Sequence, residues 1–120
     1  MKVGSYRVKL PEGWNCDVNS LPGGAPDRGL SPDIELRCVS RCGELSFVIE
    51  VTGVPEIRDV EKTSTSAGVR IVHHGGGVGG EVLRYARRMG VLLVNCSVSG
   101  LLDLEAVLRH YLPSIYNKCI

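Results

Sequence analysis

The stretch from Asp33 to Thr52 constrains the fold more than any other. Asp33-Ile34-Glu35-Leu36-Arg37-Cys38-Val39-Ser40 alternates, with Ile34, Leu36 and Cys38 on one side and Asp33, Glu35 and Arg37 on the other. Arg41-Cys42-Gly43-Glu44 supplies a turn, and Leu45-Ser46-Phe47-Val48-Ile49-Glu50-Val51-Thr52 returns as a second strand. Two such runs joined by a short turn predict a β-hairpin with one apolar face and a second face that becomes acidic towards one end.

The rest of the chain is arranged around this unit. Residues 5–10 alternate and read as a strand, after which prolines and glycines break every period from Pro11 to Pro32. That segment is expected to be a long irregular loop, pinned by Trp14 and Leu21. Gly53 to Ser66 is polar, and Glu56–Lys62 within it reads as a short helix or a loop. Residues 68–73 predict a strand, followed by the glycine run Gly75-Gly76-Gly77-Val78-Gly79-Gly80 and a helix over 81–89. Val82, Leu83, Ala86 and Met89 repeat there at the helical period, and Gly90 stands where a left-handed cap is expected. Val91–Cys96 is continuous and apolar, as in a strand covered on both faces. Ser97–Gly100 turns the chain into a last helix over about 101–112, with Leu101, Leu104, Leu108, Tyr111 and Leu112 inward and Pro113 as its end. This order predicts an α/β fold. The expected architecture is one domain over 1–120, with a mixed sheet of four or five strands built on the hairpin and flanked by two main helices.

Composition narrows the function classes. The 120 residues carry 14 Lys+Arg against 13 Asp+Glu, a balance that removes the simplest argument for a strongly basic nucleic-acid binder. Hydrophobic residues make up 43% and charged ones 22%, which suits a globular domain and not a disordered chain. No apolar run approaches the ~20 residues that a membrane helix needs, so no membrane partner is expected. Charges within Met1–Lys9 are unlike a secretory leader, which sets the expectation of a cytoplasmic protein. Cys16, Cys38, Cys42, Cys96 and Cys119 are odd in number, and Cys38 and Cys42 have no second pair at metal-ligand spacing. Buried or half-buried thiols are therefore expected, with a disulfide as the exception that a hyperthermophile would permit.

One carboxylate, Asp33, opens a strand behind Pro32, and a second, Glu50, lies near the end of the antiparallel partner in Glu50-Val51-Thr52. A helix-to-strand passage follows downstream in Leu83-Arg84-Tyr85-Ala86-Arg87-Arg88-Met89-Gly90-Val91-Leu92-Leu93-Val94. Over roughly residues 30–112 the chain resembles the PD-(D/E)xK, or restriction-endonuclease-like, nuclease superfamily. The resemblance implies that Asp33 and Glu50 hold a divalent metal such as Mg2+ for phosphodiester hydrolysis, with nucleic acid as the partner. It also implies a lysine two residues after the glutamate, where this chain has Thr52. Lys62 on the next segment, or Arg84 or Arg88 from the helix, are the candidates for a displaced cation, and Glu35 is a candidate third carboxylate.

The glycine run ahead of a helix is a second constellation. Glycines let backbone N–H groups converge on an anion at a helix start, so Gly77 and Gly79 are candidate phosphate contacts. Arg84 and Arg88, one helical turn apart, join them in a local excess of positive charge. The run is neither a complete dinucleotide fingerprint nor a P-loop, and Glu81 opposes an anion. His73 and His74 are adjacent and so fall on opposite faces of a strand, which prevents them from sharing one ion easily. No nucleophile elbow surrounds Ser97, Ser99 or Cys96, and His110 reads as an ordinary helical residue. Two readings therefore stand: a nuclease-like protein acting on or binding nucleic acid, either catalytic or inactive, and a non-enzymatic assembly module. The second would contact a protein partner, a second copy or an anion through the glycine run. A nucleotide-binding domain is a third.

Overall fold

In the computed structural model, which describes residues 2–3, 6–20, 33–64, 67–95 and 101–118, twelve elements follow one another. They are β1 (Lys2–Val3), β2 (Tyr6–Lys9), β3 (Asn15–Ser20), β4 (Ile34–Ser40), β5 (Gly43–Thr52), α1 (Ile57–Thr63), β6 (Val69–His74), α2 (Gly80–Met89), β7 (Val91–Asn95), β8 (Leu101–Asp103), α3 (Leu104–Tyr111) and α4 (Pro113–Lys118). Five strands assemble in the order β3-β4-β5-β6-β7, and β1-β2-β8 form a small second sheet. The large sheet is mixed: β3, β4 and β5 are an antiparallel meander, and β5, β6 and β7 run parallel.

The hairpin forms where the alternation places it. Ile34 pairs Ile49, Leu36 pairs Phe47 and Cys38 pairs Leu45, so the apolar side chains of both strands share one face. Ile34, Leu36, Cys38, Phe47, Ile49 and Ile71 meet Leu104, Val107 and Leu108 of α3 there and form the main core. The parallel connections β5–α1–β6 and β6–α2–β7 lay both helices on the opposite face. There Val60, Val72, Ala86 and Val91 make a second cluster. Parallel strands covered on both faces are apolar on both, which is why Val48 and Val72 are as buried as Ile49 and Ile71.

Local chemistry sets the helix ends. Glu56 N–H donates to Asp59 Oδ2 at 2.8 Å, so the charged stretch 56–62 begins a helix and not a loop. Gly90, at φ 71°, closes α2 in the left-handed conformation, with its N–H on the carbonyls of Ala86 and Arg87. No helix among the described residues is long and apolar enough to cross a membrane.

Four expectations are corrected. The segment 11–32 is not irregular throughout: Asn15–Ser20 is β3, paired with β4, while residues 21–32, and with them the Leu21 anchor, lie outside the described residues. Leu101–Asp103 is strand and not helix, because it pairs in parallel with β2, and Asp103 then caps α3 by accepting from Ala106 N–H at 3.1 Å. Tyr111 is 49% exposed rather than inward, and Pro113 opens α4 after ending α3, as its fixed φ allows at a first helical position. Cys16 and Cys38 are a disulfide and not thiols, because β3 sets them directly opposite each other; Cys42, in the β4–β5 turn, is also disulfide-bonded. Cys96, the turn 97–100 and Cys119 lie outside the described residues.

Candidate functional site

The start of β4 and the end of β5 are one end of the hairpin. The register that pairs Ile34 with Ile49 carries on to set Asp33 beside Glu50. Two crossed hydrogen bonds hold them: Asp33 N–H donates to Glu50 Oε1 at 3.2 Å, and Val51 N–H donates to Asp33 Oδ2 at 2.9 Å. Lys62 arrives from α1, which packs across β5, and its Nζ donates to Glu50 Oε2 at 3.1 Å. Glu50 is 3% exposed, and burial pushes its carboxyl up from 4.5 to about 7. The hydrogen bond from Lys62 opposes that rise, and the negative charges of Asp33 and Asp59 add to it.

The structure thus brings Asp33, Glu50 and Lys62 together. Thr52 occupies the position two residues after Glu50, half-buried, and the cation beside the glutamate comes from the following helix instead. Alternation puts Glu35 on the same face as Asp33, opposite Val48, one step further along the hairpin.

The glycine run leaves β6 at the same sheet edge, because β5 and β6 are parallel and α2 runs back from it. Gly79 is the N-cap of α2, and Gly77 and Gly79 are both exposed. Arg84 folds back over the helix start: a Cβ on Gly80 would lie 3.3 Å from its Nη1. Arg88 lies over the Tyr85 ring, 5.7 Å from its centre. Neither arginine forms an ion pair with a carboxylate among the described residues; Arg84 stays by the helix start, while Arg88 belongs to the last turn of α2, away from the glycine run.

His73 and His74 separate to opposite faces, as alternation requires, and both are buried. Burial holds the His73 imidazole down at about 4, with the charge of His74 adding to the effect. His74 is on the Glu50 face, and its Nδ1 lies 2.8 Å from Gly76 O. The alternating strand pattern places these residues correctly but carries no sign of the contact to Gly76, which depends on how the glycine run folds back.

Among the described residues, no group of three or more His, Cys, Asp or Glu is placed to hold a metal ion. Two adjacent carboxylates nevertheless suit Mg2+, which is commonly held by one or two carboxylates and completes its shell with water and substrate phosphate. The donor set is all oxygen, and a cation between Asp33 and Glu50 would relieve the repulsion that adds to the effect of burial on Glu50. A cavity of about 490 Å³ between Trp14, Arg41 and Tyr116 lies at the opposite end of the hairpin and has no part in this site. No family model, curated protein or solved structure matches the chain.

Proposed function

We propose that this protein acts on nucleic acid through a nuclease-like site in which Asp33 and Glu50 hold a divalent cation. The observation that carries the reading is the convergence of Asp33, Glu50 and Lys62, groups 17 and 12 residues apart along the chain, at one end of one hairpin. Burying a carboxylate beside a second one costs the fold stability that Lys62 only partly offsets, and perturbed groups of this kind gather at functional sites. The bound cation would supply Lewis acidity and a polarised water.

The chain's own groups do the rest. Val51 N–H fixes one oxygen of Asp33 and leaves the other for the cation. Lys62, through its hydrogen bond to Glu50, favours the ionised carboxylate and sets a positive charge beside the proposed cation site. Gly77, Gly79 and Arg84 border the same edge, with Arg88 in the last turn of α2 further along the helix, and would contact the flanking backbone, since phosphate contacts position a nucleic acid without reading its sequence. A cytoplasmic setting belongs to the same reading, and the disulfides direct it to an organism that keeps them inside the cell.

The test is Mg2+- or Mn2+-dependent cleavage of labelled single-stranded and duplex oligonucleotides. The wild-type protein is expected to cleave only with metal, Glu50→Gln to abolish cleavage, and Lys62→Met to slow it about 100-fold. Metal-independent binding without cleavage would contradict this reading and favour the non-enzymatic module.

A further inference from the structure

We propose that His74 is a further catalytic residue of this site, the acceptor of the proton released by the attacking water; the inference rests on the nuclease-like reading above.

Its placement follows from register. β5 and β6 are parallel with Glu50 opposite Val72 and Thr52 opposite His74, so Glu50, Thr52, Val72 and His74 share the face that α1 covers. One strand over and two residues along puts His74 roughly 8 Å from Glu50 between Cα atoms. Among the described residues His74 is not grouped with Asp33 and Glu50 in a metal-holding set. Thr52, its neighbour, is a neutral hydroxyl whose own contact is the Val54 carbonyl at 3.5 Å. A threonine is no base at neutral pH, whereas the imidazole paired beside it on β6 can take a proton.

The tautomer is set by the glycine run. Gly76 O, 2.8 Å from Nδ1, can only accept, so Nδ1 carries the hydrogen and Nε2 of the neutral ring is left with its lone pair. The carbonyl is itself held. Gly75 N–H and Gly76 N–H both donate to Gly53 O, at 3.2 and 2.7 Å, clipping the end of β6 to the end of β5. A Cβ at Gly76 would lie 2.8 Å from Val54 Cγ2 and 2.9 Å from Gly53 O, so this approach requires glycine. His74 is 4% exposed, and the contact to Gly76 fixes the orientation of its ring.

The step balances without another reagent. The water oxygen bonds to phosphorus and the ester P–O bond breaks. The water proton passes to Nε2, giving an imidazolium whose other N–H stays on Gly76 O. The leaving oxygen keeps the bonding pair and is protonated by solvent.

His74→Asn tests the inference, because the asparagine amide can keep the donor to Gly76 O while removing the acceptor. The expected result has three parts. Ring ¹⁵N shifts of the wild-type protein show His74 protonated at Nδ1. Mn2+ affinity of His74→Asn, by calorimetry, stays within about twofold of wild type, and its Mn2+-dependent hydrolysis of bis(p-nitrophenyl) phosphate falls about 100-fold or more. A hydrogen on Nε2, unchanged hydrolysis by the variant, or loss of its Mn2+ binding overturns the role of His74 while leaving the carboxylate site standing. A wild-type protein that fails to bind Mn2+ or to hydrolyse the ester overturns the underlying reading, and the role of His74 with it.

Discussion

Glu50 destabilises the fold it belongs to at neutral pH. Its carboxyl titrates at about 7 in the native protein against an ordinary 4.5, so the native state binds the proton more tightly and stability falls as pH rises between those values. His73 works in the other sense. It titrates at about 4 against an ordinary 6.5, the unfolded chain binds the proton more tightly, and stability rises with pH across that window. The two slopes oppose each other where the windows overlap, and the wild-type protein is expected to be nearly flat there. Glu50→Gln removes one of them. Its urea midpoint should climb between pH 4 and 6.5, by roughly 1.4 kcal/mol per pH unit in stability, and exceed wild type above pH 7. Parallel curves for the two proteins would contradict the assignment of the buried carboxylate. Stability gained by removing a group is the trade-off expected of a functional residue.

Elements were legible in the sequence to the extent that their periodicity came from their own packing. The hairpin, β6, α2 and β7 were readable because Ile34, Leu36, Phe47, Ile49 and Ala86 face a core at the spacing of their own strand or helix. β3 was not. Asn15-Cys16-Asp17-Val18 carries only two apolar residues between turn formers, and it becomes a strand because β4 offers it an open edge. The disulfide was hidden for the same reason, since Cys16 opposes Cys38 only once β3 is placed. β8 was absorbed into the following helix because Leu101 and Leu104 match a helical period, yet Leu101 pairs Arg7 in the small sheet. Lys62 was named as one of three displaced cations. What selected it was the docking of α1 on β5, a tertiary fact that no spacing along the chain encodes. The Cys16–Cys38 bridge closes a sequence separation of 22 and should contribute roughly 3 kcal/mol. Cys16→Ala should accordingly lower Tm by about 10 °C; an unchanged Tm would show that β3 is held by its pairing alone.

At the scale of the whole molecule, the proposed site and the β4–β5 turn occupy opposite ends of the sheet. The carboxyl ends of β5 and β6, the start of β4 and the N-terminus of α2 gather at one edge, the place where open α/β sheets bind ligands. That edge holds Asp33, Glu50, Lys62, His74 and the glycine run. The other end holds the β4–β5 turn and the cavity beside Trp14. The α/β class and the pairing of Asp33 with Glu50 could be read from the chain, since both follow from the hairpin. The burial of Glu50 could not, because it depends on α1. Calorimetric titration with Mn2+ tests the central claim most directly. One ion per chain should bind the wild-type protein, and binding should vanish in Glu50→Gln and in Asp33→Asn. Heats that are identical in all three proteins would contradict it.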